Sequence, residues 1–298
     1  MVLELKNIEK SFGEKRVLRG ISFSAEGGRA FGLLGRNGAG KTTAIRILMG
    51  VFPADSGEVL LDGKPIDYRR VGLGYLPEER GLYPKKIILD QLVYFAELKG
   101  MARKDAVAAV DYWLARLGMT EYRTKRLDTL SKGNQQKIQL VTALAHNPDI
   151  VILDEPFSGL DPVNAMLLKD VVREEIAKGK IVLFSSHQMG YIEEFCDSIA
   201  IIHAGEVSVT GDLREIKRAY VRDRLVISTQ SPKAILAALG DACTLRGDGT
   251  LLVRLRCPED KGRVMRELVG QYDIDEIKVF EPSLGDIFVE HAGAEVKA

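Results

Sequence analysis

Ala30-Phe31-Gly32-Leu33-Leu34-Gly35-Arg36-Asn37-Gly38-Ala39-Gly40-Lys41-Thr42-Thr43 decides the fold of this chain. Ala30–Leu34 is an apolar run of strand length. A glycine-rich turn follows, and Thr42–Met49 then has helical spacing, with Ile45 and Leu48 on one face. A strand that feeds a glycine loop opening a helix is the context a phosphate loop requires. Gly35, Gly38 and Gly40 allow tight turns, so several backbone N–H groups can point at one anion. The N-terminus of the helix adds a favourable dipole. Lys41 then supplies a cation to the outer phosphates, and the Thr42 hydroxyl supplies a ligand for Mg²⁺.

Downstream, Ile150-Val151-Ile152-Leu153 is a second buried strand, and it ends in Asp154-Glu155. An unpaired carboxylate at the end of a buried strand is costly, and a magnesium ion bound through water relieves that cost. Glu155 projects differently and can orient and polarise an attacking water. Between the two motifs lies Leu130-Ser131-Lys132-Gly133-Asn134-Gln135-Gln136. Ser131 can cap a helix running to Ala145 and stopping before Pro148. From Ile150 to His203 strands and helices alternate, which implies a largely parallel, buried sheet. From Ile87 to Leu117 the spacing of Leu89, Leu92, Val93 and Ala96 is helical, an insert within the nucleotide core.

With these motifs in this order, from about Leu3 to about Gly211, the chain resembles the ATP-binding subunits of ABC transporters. The resemblance implies an α/β P-loop NTPase domain of the ABC type over residues 1–218, with a helical insert at about 85–145. It implies ATP and Mg²⁺ as ligands, with Thr42, Asp154 and Glu78 at the metal. Arg36, Asn37 and Ala39 fall within the phosphate loop, and Thr43 takes the position that contacts the α-phosphate. Glu155 takes the position of the catalytic base, and His187, after Ser185-Ser186, that of the switch histidine at the γ-phosphate. Ser131 and Gly133 match the segment that closes over the nucleotide of a second subunit. Ser158-Gly159-Leu160-Asp161 matches the loop through which Asp161 communicates across the dimer; the alternative is that Asp161 merely caps the helix beginning at Pro162, and both roles can hold together. Phe12 stands where an aromatic stacks on adenine; as a single phenylalanine near a strand end it could also be core.

Two positions depart from the pattern. Lys132 replaces a glycine and either adds charge toward ATP or faces solvent. Glu78, in Gly74-Tyr75-Leu76-Pro77-Glu78-Glu79-Arg80, replaces the usual glutamine. A carboxylate ligates Mg²⁺ as well as an amide oxygen does, unless Arg80 or Lys85 neutralises it.

Beyond Gly211 the motifs cease. Residues 219–298 parse as β-α-β-β-α-β, with a turn at Gly247-Asp248-Gly249, which predicts a small α+β, ferredoxin-like accessory domain. Together with the Tyr75–Pro84 run and the tail from Phe280 to Phe288, it is similar to the ATPase subunits of ABC-2-type exporters, including sodium-extruding and drug-resistance systems.

Composition limits the function classes. The 298 residues carry 42 basic and 42 acidic side chains, so no global basic field points to nucleic acid. Cys196, Cys243 and Cys257 show no metal-type pairing and suit a reducing cytosol. No apolar run reaches the ~18–20 residues that span a bilayer, and the first residues lack the layout of a signal peptide. The expectation is a soluble subunit on the cytoplasmic face of the membrane. It would work as a homodimer or heterodimer with a separately encoded membrane-spanning permease. The alternative is a soluble ABC ATPase acting on ribosomes or DNA.

Overall fold

A computed structural model describes residues 1–79, 81–158, 160–220 and 223–291. The chain divides into two compact units: Met1–Leu213, with which residues 288–291 are grouped, and Arg214–Ile287.

In the first unit, β1 (Val2–Phe12) and β2 (Lys15–Glu26) form a hairpin, and β3 (Ala30–Gly35) leads through the glycine loop into α1 (Lys41–Leu48). Next come β4 (Ser56–Leu61), β5 (Lys64–Pro65) and β6 (Leu73–Leu76). The insert follows as α2 (Ile88–Leu98), α3 (Arg103–Arg116) and α4 (Lys132–Leu144). Then β7 (Ile150–Asp154), α5 (Pro162–Ala177), β8 (Ile181–Ser185), α6 (Met189–Phe195), β9 (Ser198–His203) and β10 (Glu206–Asp212) alternate.

Two sheets result, ordered β2-β1-β4-β5 and β10-β9-β3-β8-β7-β6. The first is antiparallel; the second is parallel apart from its β10 edge. Strands β3, β7 and β8 are buried at every residue, as expected of parallel strands covered on both faces. Their inward residues, among them Phe31, Leu33, Ile152 and Leu183, merge with Leu3, Leu5 and Ile21 into one core under α1. Fully burying one such side chain is worth roughly 1.5–3 kcal/mol.

The register brings the site together. Pairing of Leu76 with Leu153 sets the end of β6 beside the end of β7. Pairing of Asp154 with Ser185 does the same for β7 and β8, and Leu33 with Ser185 for β3 and β8. All these carboxyl ends open on one edge of the sheet, where open α/β sheets bind ligands. Strands β4, β5, β6 and β10 are absent from the sequence reading. Ser56–Glu58 is exposed and β6 has only four residues, so neither has a readable period.

The second unit opens on α7 (Leu213–Ala219), whose first residue closes the first. The second unit comprises β11 (Arg224–Ser228), α8 (Pro232–Leu239), β12 (Cys243–Leu245), β13 (Leu251–Arg254), α9 (Lys261–Gln271), β14 (Glu276–Val279) and the start of α10 (Leu284–His291). Its sheet has the order β12-β13-β11-β14 with every neighbour antiparallel, the arrangement of two interleaved β-α-β units and hence the ferredoxin-like fold. Leu225, Ile227, Leu251 and Val253 pack with Ile235 of α8 and Leu268 of α9. Gly249, at φ 85°, closes the hairpin by donating its N–H to Arg246 O at 3.0 Å. Near the C-terminus Ile287 is buried, whereas Val289 is 58% exposed.

Candidate active site

A pocket of about 370 Å³ is lined by Phe12, Lys15, Val17, Arg36, Asn37, Gly38, Gly40, Lys41, Thr42, Thr43, Glu78, Asp154 and Glu155. Its floor is the loop between β3 and α1. Gly40 has φ 115°, and a β-carbon there would lie 2.6 Å from Leu18 Cδ2; one on Gly35 would lie 2.6 Å from Ile202 O. Only glycine fits at either position. The first N–H groups of α1 have no acceptor within the helix and so are available to an anion. Lys41 is 8% exposed and donates to Gly35 O at 2.6 Å and Arg36 O at 3.4 Å. Burial pushes its ammonium below the ordinary lysine range, while the carboxylates of Glu155, Asp154 and Glu78 pull it back up. A further set of negative charges, such as a polyphosphate, would hold Lys41 protonated.

Asp154 is buried at the tip of β7. Desolvation holds its carboxyl above the usual range, and the neighbouring Glu78 and Glu155 charges add to the shift. Tyr75 donates its hydroxyl to Asp154 Oδ2 at 3.3 Å, and burial with this contact pushes the phenol up to about 12. The fully buried Ser185 hydroxyl sits beside Asp154 without a proper hydrogen bond. An orphaned hydroxyl and a buried carboxyl crowded by Glu78 and Glu155 suit a divalent cation, with the exposed Thr42 in the same pocket lining. Among the described residues no three His, Cys, Asp or Glu side chains converge as a complete cage. A cation here must therefore share its shell with phosphate oxygens or water, as Mg²⁺ commonly does.

Glu155 is held more tightly. Its φ of 49° is left-handed, a conformation that costs a non-glycine residue about 1–3 kcal/mol. Its N–H donates to Ser185 O at 2.8 Å, and its side chain is 5% exposed. Oε2 accepts from the Ser186 hydroxyl at 2.9 Å; Oε1 accepts from the His187 N–H at 2.7 Å and from His187 Nδ1 at 2.6 Å. A carboxylate can only accept, so Nδ1 carries a proton. His187 therefore engages Glu155 and is not itself part of the pocket lining.

Glu78 is exposed at the pocket rim. Arg80, one of the cations expected to offset it, lies outside the described residues, as does Gly159. Phe12 is 50% exposed, so it is not core; it meets Phe52 edge-on at 5.6 Å. Lys15, three residues on in the same hairpin, joins it in the lining. Its only signal in the sequence was that proximity.

Ser131, Gly133 and Asp161 do not line this pocket. Ser131 caps α4, accepting from Asn134 N–H at 3.3 Å, and Asp161 caps α5, accepting from Asn164 N–H at 3.0 Å. That bond holds the Asp161 carboxyl below its usual range. The two caps are neighbours: a β-carbon on Gly133 would meet Asn164 at 3.3 Å and Asp161 at 4.0 Å. Lys132 is exposed at the start of α4.

Comparison with known proteins agrees with this geometry. Residues 18–158 match the family described as ABC transporter, and residues 211–292 match the C-terminal domain of ATP-binding proteins like DrrA1-3. An uncharacterized ABC transporter ATP-binding protein of Bacillus subtilis, YhaQ, is 40% identical over 98% of this chain and 99% of its own length. The Nod factor export ATP-binding protein I of Burkholderia lata is 34% identical over 70% of each chain. A solved ATP-binding subunit of an ABC transporter superposes with a TM-score of 0.67 at 29% identity, covering 73% of this chain and 92% of the other. With its phosphate loop, buried acidic pair and C-terminal ferredoxin-like unit, the chain belongs to the ATP-binding proteins of ABC transporters, and it is an ATPase.

Proposed function

We propose that two such subunits close head to tail on two ATP molecules and thereby drive a separately encoded membrane permease. The observation that carries this reading is the division of the motifs. The phosphate loop, Asp154 and Glu155 share one pocket, while Ser131 and Gly133 stand outside it at the start of a helix, Ser131 exposed and Gly133 half-buried. A second subunit is the natural recipient of that helix start.

In each composite site the loop N–H groups and Lys41 bind the phosphates, and Phe12 meets the adenine. Thr42, Asp154 and Glu78 would hold Mg²⁺, which neutralises charge on the outer phosphates. Glu155, fixed by Ser186 and His187, orients water for in-line attack and accepts its proton. Release of phosphate reopens the dimer, and the insert of α2, α3 and α4 passes that movement to the permease. Among the described residues no helix is long and apolar enough to cross a membrane; in this reading the permease provides the path for cargo. The subunit works on the cytoplasmic face of the membrane, against that permease. Export as the direction follows the relative named for Nod factor export.

Co-purification from detergent-solubilised membranes with a multi-span protein, and stimulation of ATP turnover by that protein in vesicles, tests the reading. Sedimentation with ribosomes instead would overturn it.

For Glu78 the expected result is metal-specific. Glu78→Ala raises the Mg²⁺ needed for half-maximal turnover by roughly 10-fold, as loss of a metal-orienting group does, while Glu78→Gln stays active. A metal titration that leaves both variants unchanged removes Glu78 from the metal.

The accessory domain, taken to begin after Arg218, holds none of the pocket residues. A domain of this size buries only ~60% of its unfolded surface and is marginal alone, which suits a role in dimer contact or regulation. A chain ending at Arg218 is expected to keep its ATP affinity but to change its ATP-dependent dimerisation or its coupling to the permease. Equilibrium binding and size-exclusion with ATP separate the two. Lost affinity in a folded truncation would mean that the domain helps build the site.

A further inference from the structure

We propose that Gln139 is the strut through which a chain's own nucleotide pocket positions the Ser131 segment it offers to its partner. The inference rests on the reading of Ser131 as acting on the other subunit's nucleotide. It is carried by a different set of contacts.

Gln139 lies eight residues into α4, just over two turns beyond Ser131, and its side chain is buried at 4% exposure. Its Nε2 donates to Glu79 O at 3.0 Å and to Pro77 O at 3.4 Å. These carbonyls flank Glu78, which lines the pocket. Gln136 is three residues earlier and so on the same helix face. Its Nε2 donates to Pro156 O at 3.4 Å, immediately after Glu155. Thus α4 is tied through side-chain amides to both segments that carry the pocket's acids, and its own N-cap is Ser131.

The chemistry explains why glutamine stands at a helix position otherwise flanked by Ile138 and Leu140. Both acceptors are carbonyl oxygens, so the amide nitrogen must face them. Leucine or methionine would fill the same volume but leave two carbonyls unpaired. A buried polar group so stranded loses its solvation without compensation. Movement of the Glu78 loop on nucleotide binding therefore carries Gln139, and with it the rigid helix that ends at Ser131. Gln136 supplies a weaker tie to the Glu155 segment. Gln139 touches no reacting atom; it is a positioning residue.

The test follows backbone amide exchange of the full chain with and without Mg²⁺-ATP. It uses the Ser131→Arg background, where dimer formation is blocked and only a chain's own site can respond. ATP is expected to slow exchange both around residues 73–83 and at residues 131–136. Adding Gln139→Met should preserve ATP affinity and the response at 73–83 while weakening the response at 131–136 about 5-fold or more, the scale of a typical coupling between sites. If the response at 131–136 survives in Gln139→Met, or is absent before Gln139 is changed, the strut is refuted. Gln139→Asn, whose amide is one methylene too short, serves if the methionine variant fails to fold. Loss of ATP affinity on Ser131→Arg alone would instead condemn the reading of Ser131. The exchange comparison is then made on dilute chains with Ser131 intact.

Discussion

Glu155→Gln is expected to lower steady-state ATP turnover about 100- to 10,000-fold, the range for removing a positioned general base, while ATP affinity is retained. The reasoning is geometric. The amide keeps the volume of the carboxylate, and its oxygen still accepts from one of the donors now converging on Glu155. The phosphate loop, Lys41, Thr42 and Asp154 are untouched. What disappears is the ability to take a proton from water. Nucleotide therefore enters, the subunits close, and hydrolysis that would reopen them fails. Size-exclusion with Mg²⁺-ATP should show a stable dimer that the unsubstituted chain reaches only transiently. There is one structural cost. The amide N–H₂ must face either His187 N–H or the Ser186 hydroxyl, and each now donates to Glu155 at under 3 Å. Rotating the Ser186 hydroxyl resolves the second clash, so the fold should survive. Turnover near that of the unsubstituted chain would remove Glu155 from the role of base.

The sequence made some of this legible and hid the rest for definite reasons. A phosphate loop is readable because its backbone chemistry demands glycine at fixed places, and Gly35 and Gly40 prove to have no room for a β-carbon. The acidic pair is readable because two carboxylates at the end of an apolar strand are conspicuous. The β-α-β-β-α-β order of the C-terminal unit could be followed because its strands alternate cleanly with proline-led segments. By contrast, the contacts of Glu155 with Ser186 and His187 depend on the pairing of Asp154 with Ser185 across a parallel crossover, and no local pattern encodes that register. The bond from Tyr75 to Asp154 depends likewise on the pairing of β6 with β7. Phe12 was ambiguous because β1 contains several register shifts, which break the alternation that would have assigned its face. Gln139 was invisible: as a glutamine among apolar residues it looks like a lapse in the helix pattern, and its acceptors are about 60 residues away in the chain.

Ser131→Arg should reduce turnover by about 100-fold or more, comparable with deleting a donor that stabilises transition-state charge. ATP affinity of the isolated subunit should stay within about 2-fold, as for a change remote from the site. The pocket lining explains the contrast. Ser131 does not contribute to the pocket of its own chain, so its loss leaves that chain's phosphate and metal groups intact. In the closed dimer, the bulky guanidinium would occupy the space where the hydroxyl and the first N–H groups of α4 meet the partner's γ-phosphate. A competing explanation is loss of the helix cap, because Ser131 accepts from Asn134 N–H and removing such a cap costs about 1 kcal/mol. Ser131→Asp separates the two. An aspartate caps as well as serine does, yet it sets a negative charge against the phosphate, so it should block turnover while leaving thermal stability unchanged. If the aspartate variant hydrolyses ATP normally, Ser131 serves only its helix. If arginine weakens binding to the monomer as much as it slows turnover, Ser131 belongs to its own chain's site and the head-to-tail arrangement fails.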